Sequence, residues 1–172
     1  MSEIKQLFSE RKSKEQLLNF IKTTENGFQS VLEFSIYVKE ENAWRAAWII
    51  CHAMKKNDSR VFPYIKDLID AIPNKTDGHQ RQLLIILEKM NISVDDEGYL
   101  FDHCLSIWEA INKIPSTRIT AFKILAKIAK KHPDLLSELE LWTSDYYTET
   151  LSAGIKNSLE KIKNGLLQFQ KL

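Results

Sequence analysis

The chain has 172 residues, of which 44% are hydrophobic and 27% charged, with a formal net charge of +1. That length supports one compact domain burying roughly 70% of its unfolded surface, and the composition is that of a soluble globular protein. The longest apolar run, 46–51, falls far short of the roughly 20 residues that span a bilayer, and the small charge excess argues against a protein built mainly to hold duplex nucleic acid.

The N-terminal sequence MSEIKQLFSERKSKEQLL carries acidic residues and no uninterrupted apolar stretch, unlike a signal peptide. Cys51 and Cys104 are the only cysteines, and a reduced, cytoplasmic location is the expectation. With five glycines, four prolines and almost no alternating apolar pattern, the chain reads as all-helical.

In chain order, an N-terminal piece over 1–27 contains a helix around 14–22, ended by Thr23–Gly27 with glycine near the C-cap. Helix pairs follow. The first is 28–39 and 42–56, with Asn42 as N-cap. The second is 61–72 and 77–90, where Pro73 stops one helix and Thr76 or Asp77 caps the next. The third is 98–113 and 116–131, with Ser116 as N-cap. The fourth starts at His132–Pro133 and ends in a helix over 152–172. There Leu151, Ile155, Leu159, Ile162, Leu166 and Phe169 form one narrow apolar stripe. The helix over 42–56 is instead apolar almost all round, as an internal helix of a stack should be.

The pairs repeat. Arg45, Arg81 and Arg118 each open an apolar helical run, at spacings of 36 and 37 residues. Such a period marks stacked helix pairs that bury their apolar faces on their neighbours. The expected fold is an all-α, right-handed α-α superhelix of about four pairs plus the N-terminal piece. It is expected to form one domain over 1–172, with repeats at 28–60, 61–91, 95–132 and 133–172.

The elements WRAAW (44–48) and TRITAF (117–122), with Pro63 in VFPYIKDLI, resemble HEAT repeats over residues 28–172. The W-x-x-L-G-x-x-Y pattern of tetratricopeptide repeats and the T-P-L-H element of ankyrin repeats do not occur. More narrowly, the chain is similar to short bacterial HEAT-like proteins, some of which carry an inherited adenylosuccinate lyase label. The serine- and glycine-rich mobile loop of those lyases has no counterpart in this sequence. The resemblance implies a non-catalytic interaction or adaptor module whose partner is another protein, with no membrane and no small-molecule cofactor.

Charge follows the repeat. First helices with their adjoining turns sum to −12 and second helices to +12. A stack would therefore have an acidic wall and a basic wall, and the basic one suits an anionic partner. The bland alternative is that paired helices match their charges at their margins, since exposed ion pairs contribute only about 0–1 kcal/mol. The candidate contacts are Arg45, His52, Lys56, Arg81, Lys123, Lys127 and Lys131. Thr120, Lys123, Lys127 and Lys131 share one helical face with no acidic residue between them.

On the helical wheel Arg45 joins His52 and Lys56, and Arg81 lies near Glu88 and Lys89. Arg118 falls instead among Phe122, Leu125 and Ala129. A cation near a helix N-terminus opposes the macrodipole and needs a carboxylate or carbonyl partner, so Arg118 is expected to make a structural bond between repeats. His103 and Cys104 are adjacent and the histidines are scattered, so no zinc pattern exists. His132 is expected to favour the helix dipole, and Asp95 and Asp96 to cap a helix. Neither a phosphate loop nor a nucleophile–base set can be assigned. An alternative function is a nucleic-acid-binding protein or glycosylase resembling HEAT-like DNA alkylation-repair enzymes, with Trp44, Trp48, Trp108 and Trp142 and a carboxylate, Asp102 or Glu109, on one wall.

Overall fold

Helices form wherever this sequence lets them, and turns fall at its prolines and small polar residues. The computed structural model describes residues 2–39 and 41–169, and no strand occurs among them. The chain divides into two compact units, Met1–Ile92 and Ser93–Leu172.

The first unit contains α1 (Ser2–Ser9), α2 (Lys14–Thr23), α3 (Gly27–Tyr37), α4 (Ala43–Ala53), α5 (Ile65–Ala71) and α6 (Asp77–Glu88). The N-terminal piece thus holds two helices, and the second is fixed by a reciprocal capping box. Ser13 Oγ accepts from the Gln16 N–H at 3.3 Å, and the Gln16 side chain accepts from the Ser13 N–H at 2.8 Å. Pro63 lies in a 3₁₀ turn (Phe62–Tyr64) ahead of α5, and not inside a helix. A proline suits that position because its missing N–H would have no intrahelical acceptor. Asn42 precedes α4 but makes no side-chain cap bond, because its backbone (φ −87°, ψ −2°) is helical and not extended. Thr76 precedes α6 and also makes no side-chain cap bond.

α4 is the centre of this unit. It packs against α1, α2, α3 and α6, so Ala43, Ala46, Ala47, Ile49 and Ile50 are all fully buried. Each buried isoleucine contributes roughly 1.5–3 kcal/mol. The loop after α4 ties neighbouring pairs together. Asn57, in the left-handed region at φ 52°, donates its N–H to the Lys89 carbonyl at 3.0 Å. Its Oδ1 accepts from the Asn91 N–H at 2.7 Å. The next residue, Asp58, is buried and accepts from Arg60 Nε (2.9 Å) and Nη2 (2.8 Å). Those bonds hold its carboxyl down at about 2, while the Arg60 guanidinium lies 3.7 Å over the Phe28 ring.

The second unit contains α7 (Val94–Glu109), α8 (Pro115–Ala129), a 3₁₀ turn (Pro133–Leu136), α9 (Leu139–Trp142), α10 (Asp145–Thr148) and α11 (Ala153–Phe169). α7 starts four residues before the expected Gly98. Ser93 caps it by accepting from the Asp96 N–H at 3.3 Å, which places Asp95 and Asp96 inside the first turn. α8 starts at Pro115 with Ile114 in the N-cap position that Ser116 was expected to fill, because proline is pre-organised for N1. α8 packs against α7, α11 and the 3₁₀ turn, and 11 of its 15 residues are buried, which makes it the core helix of this unit. The first helix of the fourth pair is broken into the 3₁₀ turn, α9 and α10. The break between the two helices falls at Thr143 and Ser144, short polar residues that favour turns over helix interiors. In α11, Leu159 and Leu166 are buried and Ile155 and Ile162 half-buried, a one-sided stripe begun by Leu151. The expectations for the Phe169 side chain and for 170–172 lie outside the described residues. No helix among them is long and apolar enough to cross a membrane.

Gly27 is required by close approach. A Cβ there would lie 2.9 Å from the Phe20 carbonyl oxygen, whereas one at Gly98 meets nothing within 4 Å. Gly27→Ala is expected to cost about 1–3 kcal/mol, and Gly98→Ala to stabilise α7 by up to about 1 kcal/mol. Urea denaturation of the two variants measures both.

His79 in α6 is 4% exposed. Its Nε2 is enclosed without a partner among the described residues, and burial first, then Lys75, pushes the ring pKa down to about 4 despite a hydrogen bond to the Ser35 backbone. An unfolded histidine binds its proton near 6.5, so between about 6.5 and 4 the unfolded chain takes up the proton and the folded one does not. Stability is then complete above about 6.5 and is lost as the pH falls toward 4. On going from pH 7 to 5 this site is expected to cost about 2 kcal/mol. His79→Gln should remove that share of the pH dependence in urea titrations at the two pH values.

Candidate functional site

A helix leaves its last carbonyls without intrahelical donors, and this protein satisfies several of them with basic side chains from elsewhere in the same unit. Arg45, at the third position of α4, donates from Nη1 to the carbonyls of Glu10 (3.0 Å) and Phe8 (3.4 Å) and from Nη2 to that of Lys12 (2.9 Å). Lys75 Nζ reaches the Val38 carbonyl at the end of α3 at 2.8 Å. Lys89 Nζ reaches the Cys51 carbonyl near the end of α4 at 2.6 Å. The spacings are 35 residues for Arg45 to Glu10, 37 for Lys75 to Val38 and 38 for Lys89 to Cys51, so each bond spans about one repeat.

The second unit uses Arg118 in the same way. It is fully buried and donates from Nε to the Trp108 carbonyl at 2.9 Å and from Nη2 to the Tyr147 carbonyl at 2.7 Å. Its guanidinium lies 4.8 Å from the Trp108 ring centroid, and Nη1 has no partner among the described residues. Burial lowers its pKa, yet an arginine stays charged. The expectation of a structural bond between repeats for Arg118 is met. Arg45, one of the candidate partner contacts, is held by backbone carbonyls.

The remaining candidates of the first unit divide by exposure. His52 and Lys56 are exposed, and Arg81 is half-buried with its Nε enclosed and unpartnered among the described residues. The His52 ring stands edge-on to Trp48, with centroids 5.0 Å apart. Partial burial, then Lys14 and Lys89, lowers its pKa. In the second unit Lys123 is exposed and Lys127 half-buried. Thr120 leaves the shared face: it is buried, and its hydroxyl donates to the Ser116 carbonyl at 2.8 Å. Lys131 is ion-paired with Glu97 of α7, a carboxylate only 4% exposed. Glu97 is also met by His132 Nε2 at 3.2 Å, so His132 serves a carboxylate and not the helix dipole alone. Burial pushes the Glu97 pKa up, but Lys131 and His132 outweigh it and hold the group below its usual range.

The four tryptophans do not share one surface. Trp108 is fully buried and donates from Nε1 to the Trp142 carbonyl at 2.7 Å, and Trp142 is 5% exposed. These two are core, packed on Phe122 and Phe101, while Trp44 is 41% exposed. Asp102 and Glu109 are exposed. The aromatic and acidic wall of a repair glycosylase is therefore not assembled from these residues. Burial pushes the Cys51 thiol up to about 12 and the Cys104 thiol further, so neither is a nucleophile at neutral pH. Sequence reasoning missed the structural roles of Lys75, Lys89 and Glu97. Their repeat spacing was the available signal: Lys75 stands one period after the end of α3, and Lys89 one period after the end of α4.

Paired helices joined at about one repeat's separation define a helical-repeat protein. The family model described as HEAT repeat domain matches residues 3–166, and the chain belongs to that family. No curated protein and no solved structure matches it.

Arg118→Met keeps most of the side-chain volume and removes every donor, leaving buried carbonyls unpaired. It is expected to cost about 3 kcal/mol, read from the urea midpoint. Arg118→Lys should restore only part of that loss, because one ammonium cannot reproduce the two-armed geometry.

Proposed function

We propose that the protein is a non-catalytic interaction module that binds an acidic segment of another protein, with contacts on α8 of the second unit. One observation carries this reading: over 115–132 the sequence holds Arg118, Lys123, Lys127, Lys130 and Lys131 and no aspartate or glutamate. Arg118 is consumed by the core and Lys131 by Glu97, so the cations offered to a partner are Lys123 and Lys130, both exposed. Lysines seven residues apart rise about 10 Å along the helix, close to the span of three residues of an extended acidic segment. The family supports an interaction role in general, and the cationic stripe supplies the sign of the partner.

Lys123→Gln and Lys130→Gln combined are expected to leave folding within about 0.5 kcal/mol of wild type. Lys131 is kept, because removing it would strand Glu97. Binding to labelled polyglutamate should weaken at least about five-fold in the double variant, and wild-type affinity should fall steeply as salt rises. Equal binding by the two proteins would remove α8 as the contact surface.

A further inference from the structure

α4 of the first unit carries a surface that the α8 reading does not use. Trp44, Trp48 and His52 stand four residues apart and so follow one face of the helix. Trp44 is 41% exposed, Trp48 half-buried and His52 exposed. The Trp48 and His52 rings meet at an interplanar angle of 80°, which makes one aromatic platform along the helix. A large apolar ring left in water next to a second one is a common anchor in protein interfaces.

The charges that act on the His52 ring have one sign. Lys14 of α2 and Lys89 just beyond α6 both act on the His52 ring. Arg45 adjoins Trp44, and its carbonyl partners orient the guanidinium without neutralising it. No aspartate or glutamate occurs between residues 42 and 57. Glu10, next to the carbonyls that hold Arg45, is itself engaged by Lys12 at 2.7 Å.

We infer that this face docks an acidic protein segment bearing a bulky apolar side chain, which covers Trp44 and Trp48 while its carboxylates meet Lys14, with Lys89 adding positive charge from its place on the Cys51 carbonyl. The aromatic platform needs an apolar group to cover it, and the cations select an anionic setting for that group. A polynucleotide fits less well. Residues 1–92 hold 14 lysines and arginines against 12 aspartates and glutamates, a net +2, whereas backbone-driven nucleic-acid binding needs several phosphates neutralised together.

Fluorescence anisotropy with two labelled peptides of equal length and charge tests both halves of the inference. One alternates glutamate with leucine and tryptophan, and the other alternates glutamate with serine. The apolar peptide is expected to bind at least about ten-fold tighter. Trp44→Ala and Lys14→Glu should each weaken it about five-fold or more with the thermal midpoint unchanged, and Trp44→Phe should retain most of the affinity. The Lys123→Gln and Lys130→Gln double variant should bind this peptide as wild type does, so this surface stands or falls separately from α8. Equal affinity for the two peptides overturns the inference, as does wild-type affinity in Trp44→Ala or Lys14→Glu. An oligothymidylate that binds tighter than the peptide and is lost in Trp44→Ala also overturns it, making the platform a nucleobase stack.

Discussion

The carbonyl ends of helices are the constraint around which this protein is arranged. Stacked short helices bring many chain ends into partly buried positions, and each end leaves carbonyls that need a donor. Bringing a lysine or arginine from about one repeat away satisfies the carbonyl, opposes the negative end of the helix dipole and ties the two repeats together. Lys75 on Val38 and Lys89 on Cys51 do this in the first unit, and in the second Arg118 reaches the Tyr147 carbonyl 29 residues on. Arg45 serves the carbonyls of residues 8, 10 and 12. Hydrogen bonds to charged donors are worth roughly 1.5–3 kcal/mol each, enough that a handful decides whether neighbouring pairs stay docked.

This use of cations separates two populations of charge that look alike in the sequence. Arg118, Lys75 and Lys89 belong to the architecture, and Lys131 belongs to Glu97. The remainder left exposed includes Lys123 and Lys130 in the second unit and His52 on α4. A reading by net charge per helix merges the two and overstates the basic surface. The separation also bears on design of variants, since removing Lys131 or Lys89 alters the fold's own contacts along with the surface.

The architecture was legible because it rests on periodicity. The 36- and 37-residue spacing of Arg45, Arg81 and Arg118 and the phase of each apolar run report burial directly. Helix starts were read less well where two capping residues compete. Ser116 has the residue type of an N-cap, but Pro115 takes N1 and moves the cap two residues back, to Ile114. Ser93 and Asp96 formed a readable Ser-x-x-Asp start for α7, and Ser13 and Gln16 a readable capping box for α2. The break between α9 and α10 had no apolar signature at all. For the candidate surface, residue type gave the sign of the charge and the wheel gave the face. Which cations were already engaged depended on contacts a full repeat away, and those need the three-dimensional arrangement.

The most direct test of buried cations as structural donors is the side-chain Nε–H signal of Arg118 in a ¹⁵N correlation spectrum. The Nε of Arg118 donates to a buried carbonyl at 2.9 Å, so its proton should give a resolved signal at neutral pH that exchanges with deuterated solvent far more slowly than that of exposed Arg11. A proton at Arg118 that exchanges as fast as that of Arg11 would contradict the account.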